Sequence, residues 1–97
     1  MIVKVATFRN VVDHLFRVVN VDYHACVGAA ELRNWQGIAG RVLAEVEALE
    51  CKRANQDDRE QQRRSIEAAR ERMSQAAQRI AQLEAVARPA VGGLQWA

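Results

Sequence analysis

The sequence predicts a mainly α-helical fold. Its main element is a long antiparallel helical hairpin with coiled-coil-like packing. A small N-terminal helix precedes the hairpin, and a short β segment is an alternative for part of the N-terminal region. Two sets of heptad-spaced apolar residues and the polar stretch between them lead to this prediction. The composition supports it, because 97 residues include one proline and five glycines. An all-β fold usually needs more of these turn-forming residues.

Apolar side chains recur at alternating spacings of three and four residues in two parts of the chain. The first set is Leu32, Trp35, Ala39, Val42, Val46 and Leu49, and the second is Ile66, Ala69, Met73, Ala76, Ile80, Leu83 and Ala87. This spacing places each set on one side of an α-helix. Pro89, followed by Gly92 and Gly93, predicts the end of the second helix.

The stretch CKRANQDDREQQRRS, residues 51–65, separates the two sets and contains only two apolar residues. Heptad steps from Leu32 reach Arg53 and Glu60 and miss the second set by one residue. A single continuous coil would therefore bury charged side chains and need a skip. Both features favour two helices that fold back on each other.

Folding the chain between Asp57 and Asp58 brings the two apolar sets together in antiparallel register. The facing pairs are then Leu49–Ile66, Val46–Ala69, Val42–Met73, Ala39–Ala76, Trp35–Ile80 and Leu32–Leu83. Asp57 and Glu60 resemble a capping box at the start of the second helix. We therefore predict a hairpin over residues 31–88 with its tip near residues 55–58.

The N-terminal residues 1–30 support two predictions. Val5, Phe8, Val12, Leu15 and Val19 have helical spacing, which indicates a helix over about residues 8–19 with Thr7 as its N-cap. Apolar residues also alternate from position 19 to position 27, which is a strand period. We expect this element to pack on the base of the hairpin, and we expect residues 89–97 to form a flexible tail.

Composition and charge narrow the classes of protein. The formal net charge of +2 comes from 14 basic and 12 acidic residues, a balance that does not by itself indicate nucleic-acid binding. Cys26 and Cys51 are too few for a disulfide framework. We expect Cys51 to be an exposed thiol. No run is apolar enough for a membrane helix or a signal peptide, so we expect a cytoplasmic protein that does not bind membranes.

Arginines form the most basic part of the predicted second helix. The candidate partner-binding residues there are Arg59, Arg63, Arg64, Arg70 and Arg72, because guanidinium groups bind carboxylates and phosphates. However, residues 52–72 contain seven basic and five acidic residues and no aromatic residue that could stack on bases. A solvated helix surface is the competing interpretation.

Other candidate sites are weaker. Trp96, in the tail, is a candidate partner anchor because tryptophan is enriched at binding hot spots. Asp22, His24 and Cys26 would share one side of a strand, but they are too few for a metal site. No sequence motif indicates catalysis, a cofactor or a metal.

We therefore expect a small non-enzymatic protein-binding module. Adaptors, assembly factors and stoichiometric inhibitors, including those encoded by phages and other mobile elements, are of this size and type. The expected partner is another protein, and a homodimer is an alternative. The alternative function is that of a nucleic-acid-binding accessory protein that uses the arginines of the second helix.

Overall fold

The structure is a computed structural model that describes residues 2–93, with side chains described as far as residue 86. Its helices are α1 (Val5–Arg17), a π-helical turn (Val18–Asp22), α2 (Tyr23–Ala25), α3 (Ala29–Glu47) and α4 (Gln56–Gly93). Helices α3 and α4 pack against each other along their length, which confirms the predicted mainly α-helical fold with a helical hairpin. The described chain is elongated, with extents of 67 × 19 × 17 Å.

Both heptad sets face the core. Every member of the first set is buried. In the second set Ala69, Ala76 and Ile80 are buried and the other members with described side chains are half-buried. Ion pairs join Glu47 to Arg70 and Arg33 to Glu84. These residues lie next to the predicted facing pairs Val46–Ala69 and Leu32–Leu83, so they agree with the antiparallel register.

The N-terminal segment is helical from Val5 to Ala25, so the strand alternative is wrong. Val19 and Tyr23 are buried, but Val21 and Val27, which belong to the same alternating pattern, are exposed. Burial therefore follows a helical period. The predicted N-cap Thr7 is also wrong, because α1 begins at Val5 with Lys4 in the N-cap position.

This segment covers the side of the hairpin from tip to base. At the tip, Arg9 of α1 pairs with Asp58 of α4 at 2.8 Å. At the base, the Cys26 thiol donates to the Glu31 carbonyl oxygen at 3.7 Å. We expected the N-terminal segment to pack on the base of the hairpin, and its C-terminal end lies there, whereas its N-terminal end lies at the tip. The core lies between the N-terminal segment, α3 and α4.

The chain around the tip differs from the sequence prediction. Helix α3 ends at Glu47, so Cys51 lies in the connecting loop and is buried, with 6% of its surface exposed. The expectation of an exposed thiol is therefore wrong. The only β pairing among residues 2–93 is an isolated parallel bridge between Ile2 and Glu50. At the other end, α4 continues past Pro89 to Gly93, so the predicted end of the second helix at Pro89 is wrong, although a proline inside a helix removes one backbone hydrogen bond.

Candidate protein interface

A reciprocal capping arrangement starts α4. The Asp58 N–H donates to the Asn55 side-chain oxygen at 2.8 Å, and the Asn55 N–H donates to the Asp58 carboxylate at 3.2 Å. This is the geometry of a capping box, two residues earlier than the predicted pair Asp57 and Glu60. Arg9 also donates to the Asp58 carboxylate, and this hydrogen bond lowers the pKa of Asp58. One carboxylate therefore holds both α4 and α1 at the tip.

Side chains of α4 donate to carbonyl groups in the last turn of α3 and in the loop that follows it. The Gln62 amide donates to the Val46 carbonyl at 2.9 Å and lies 3.4 Å from the Leu49 carbonyl. Arg59 donates to the Cys51 carbonyl at 3.2 Å. The last carbonyls of a helix need such partners because no further turn supplies them. Arg59, one of the predicted binding residues, thus helps to hold the loop.

Carboxylates of α4 contact the next two predicted arginines. Arg63 lies between Glu60 and Glu67, and Arg64 also donates to Glu60, at 3.2 Å. The hydrogen bond from Arg63 lowers the pKa of Glu60. Both arginine side chains remain more than half exposed. They are accessible, but their charges are largely balanced by neighbouring acids.

Arg70 and Arg72 extend towards different helices. Arg70 pairs with Glu47 of α3. Arg72 lies over the Tyr23 ring of α2, with its guanidinium carbon 4.7 Å from the ring centroid, and donates to Gln75. All five predicted arginines therefore have partners within the chain, and they do not form one unpaired basic surface. Trp96 lies outside the described residues.

A cleft at the tip brings together residues that are far apart in the sequence. Its volume is about 460 Å³, and it is lined by Ile2, Val3, Lys4, Val5, Cys51, Lys52 and Arg53. The Ile2–Glu50 bridge and a hydrogen bond from the Val3 N–H to the Glu50 carbonyl at 2.8 Å hold the two segments together. Ile2 is 65% exposed.

The charge around this cleft is unbalanced. Residues 2–8 and 48–54 together contain three cations, Lys4, Lys52 and Arg53, and one acid, Glu50. None of the three cations forms an ion pair within the described part of the chain. Helix α1 also begins here, without a side-chain cap or an acidic residue in its first turn. Because a helix N-terminus carries partial positive charge, it adds to the potential of the cations.

The three candidate metal ligands do not form a metal site. Asp22, His24 and Cys26 lie on or just after helical turns rather than on one side of a strand. The Cys26 thiol donates to the Asp22 and Glu31 carbonyls, and burial raises its pKa. Within residues 2–93 no group of three or more His, Cys, Asp or Glu side chains is arranged to hold a metal ion.

Comparisons with known proteins identify no relative. The sequence matches no protein-family model, and neither the curated proteins nor the solved structures give a significant match. Across the described residues, no helix has the length and hydropathy of a membrane span. The function is therefore inferred from the geometry of the chain itself.

Sequence reasoning missed the tip cleft. The dipeptide Lys52-Arg53 and the apolar run around Lys4 are both visible in the sequence. Neither is distinctive alone, and about fifty residues separate them. Only the bridge between Ile2 and Glu50 places them side by side. One signal in the sequence could have been used. Lys4 lies between Val3 and Val5, and residues 2–8 contain no acid that could balance its charge.

Proposed function

We propose that this chain is a small non-enzymatic protein-binding module that contacts its partner through the tip cleft. The observation that carries the proposal is the set of three unpaired cations around aliphatic side chains. Protein interfaces combine an apolar centre with a polar rim. The cleft provides this combination at the tip of an elongated helical hairpin. An adaptor, an assembly factor and a stoichiometric inhibitor would each use such a surface.

The arginines of α4 favour the nucleic-acid alternative less than the sequence suggested. Phosphate binding by Arg63 or Arg70 would compete with Glu60, Glu67 and Glu47, which already accept their hydrogen bonds. Bound phosphates would also lie near these carboxylates, which repel them. Use of the arginine surface remains a prediction. Nucleic-acid binding that is lost on charge reversal of Arg63 and Arg64 would distinguish it from use of the tip cleft.

The proposal is tested by site-specific photo-crosslinking in extract of the source cell. A photoreactive amino acid replaces Glu50, an exposed residue beside the cleft whose replacement keeps all three cations, or Gln78, an exposed residue of α4, as the control position. We expect one protein to be crosslinked at position 50 and not at position 78. The captured protein, once purified, should bind the unmodified chain with defined stoichiometry in calorimetry.

The alternative predicts different results. If the chain binds duplex DNA or RNA at low salt, with affinity that falls steeply as salt rises and is lost on charge reversal of Arg63 and Arg64, the nucleic-acid function is favoured. If no protein crosslinks at either position and no purified candidate binds, the protein-binding function is wrong.

A further inference from the structure

We propose that the tip cleft binds an extended acidic segment of the partner protein, with an aliphatic side chain seated on Ile2, Val3 and Val5. This inference rests on the proposed protein-binding function and adds the chemistry of the partner. Its three supports are the apolar lining, the free main-chain edge of residues 2–4, and the unpaired cations.

The apolar lining selects an aliphatic side chain. Ile2 is exposed, Val3 and Val5 are half-buried, and the buried Cys51 lies against them. A volume of about 460 Å³ is within the range of ligand-binding clefts. An Ile, Leu or Val of the partner would cover the exposed surface of Ile2, and burying apolar area favours binding.

The main chain beside the cleft can accept another strand. In an extended segment, the polar groups of successive residues point to opposite edges. The Val3 N–H bonds to Glu50, so the groups of Ile2 and Lys4 point the other way. Within the described residues, the Ile2 carbonyl and the Lys4 N–H have no hydrogen-bond partner. An extended peptide could pair with this edge, as in β-strand addition.

The charge of the cleft selects an acidic peptide. The two segments that carry Lys4, Lys52 and Arg53 contain one acid, Glu50, and the N-terminus of α1 adds positive potential. Aspartates and glutamates next to the aliphatic anchor would complement them. The edge of residues 2–4 favours a peptide over an anionic lipid surface, because lipids offer no main chain to pair with it.

The inference is tested by titrating the ¹⁵N-labelled full chain with the synthetic peptide Gly-Glu-Ile-Asp-Leu-Glu-Val-Asp-Gly. We expect chemical-shift changes concentrated at residues 2–5 and 50–53. Two control peptides carry either Gln and Asn in place of the acids or Ser in place of the aliphatic residues. Each control peptide should bind at least about tenfold more weakly, because the first lacks the acidic charges and the second lacks the aliphatic side chains.

A matched pair of variants separates the cleft from general charge. The double variant Lys52→Glu/Arg53→Glu should weaken binding of the acidic peptide by about tenfold or more. The control Arg17→Glu/Arg41→Glu changes the net charge equally at exposed residues of α1 and α3 that have no ion pair within residues 2–86. It should keep the affinity close to that of the unmodified chain. Circular dichroism verifies that both variants fold.

Four outcomes would overturn the inference. They are no shift at the tip at millimolar peptide, shifts centred elsewhere, equal binding of the uncharged peptide, or tip shifts caused by anionic phospholipid vesicles and not by the peptide. If the peptide fails while position 50 still crosslinks a protein, only the chemistry assigned to the partner is wrong. If both fail, the proposed function is wrong as well.

Discussion

At the scale of single residues, the start of α4 shows how closely related polar side chains compete for one role. Asp57 and Glu60 have the spacing of a capping box, and so do Asn55 and Asp58. The structure uses the second pair. Asp58 is favoured because Arg9, from a distant part of the sequence, binds the same carboxylate. Local sequence predicted that a capping box would be present, but a long-range contact decides which pair forms it.

Replacing Asn55 should weaken the start of α4. In Asn55→Ala the Asp58 N–H loses its acceptor, and we expect a loss of about 1 kcal/mol in the free energy of unfolding. Asn55→Ser, which keeps an acceptor oxygen, is the matched control and should lose less. Urea denaturation measures both. Equal stability of the alanine variant and the unmodified chain would contradict a stabilising role for this cap.

The Arg9–Asp58 contact should make stability depend on acid pH. The hydrogen bond from Arg9 lowers the pKa of Asp58 below its ordinary value of 3.8. A lowered pKa means that the contribution is complete above the ordinary value and is lost as the pH falls through the lower, folded-state value. In Arg9→Gln we expect the pKa of Asp58 to rise towards 3.8, as measured by carboxyl-carbon NMR.

Stability measurements and a control complete this test. The difference in unfolding free energy between Arg9→Gln and the unmodified chain should be full near pH 7 and shrink below about pH 4. Arg17→Gln is the control, because Arg17 is exposed on the same helix and has no ion pair within residues 2–86. A pKa of Asp58 that does not differ between the two variants would contradict the proposed cause.

At the scale of elements, the π-helical turn Val18–Asp22 is the feature that the sequence did not predict. The turn allows Val18 and Val19, which are adjacent, to be buried together. The Val18 carbonyl accepts hydrogen bonds from the Tyr23 N–H and from the Trp35 indole, the latter at 2.7 Å. The alternating valines resemble a strand, but the helix buries Val18 and Val19 and brings the Val18 carbonyl to Trp35 of α3.

The hydrogen bond from Trp35 should stabilise the packing of the N-terminal segment on α3. Trp35→Phe removes the donor and some volume from the core, and we expect about 1–2 kcal/mol less unfolding free energy. Tyr23→Phe is the control. It retains the ring that contacts Trp35 at 5.0 Å between centroids and should have a much smaller effect. A Trp35→Phe variant that is as stable as the unmodified chain would contradict a stabilising role for the hydrogen bond to Val18.

At the scale of the whole molecule, what could be predicted depended on how local its cause is. The helices α3 and α4 and their register follow from heptad spacing, because burial along a helix has a fixed period. The sequence could not place the N-terminal segment along the hairpin, because Arg9–Asp58, Trp35–Val18 and the Ile2–Glu50 bridge are contacts between distant residues. The tip cleft lies between two distant segments that the Ile2–Glu50 bridge holds together, so a search for local motifs missed it.

The hairpin should form within one chain, which distance measurements between spin labels can test. Labels replace Arg33 and Glu84, or Glu47 and Arg70, which form ion pairs between α3 and α4; Glu84 is half-buried and the other three are exposed. Cys26 and Cys51 are replaced by alanine so that only these positions are labelled. Packed helices have axes about 8–10 Å apart, so both pairs should give short distances.

The third pair, residues 33 and 70, is the control for this arrangement. Fourteen residues of α3 separate positions 33 and 47, which corresponds to about 21 Å along the helix. Because this displacement is at right angles to the roughly 8–10 Å between the axes, the distance from 33 to 70 should be about 23 Å. Short distances must persist when labelled protein is diluted into excess unlabelled protein. Their loss on dilution would mean that the helices pair between chains, as in a dimer of long helices.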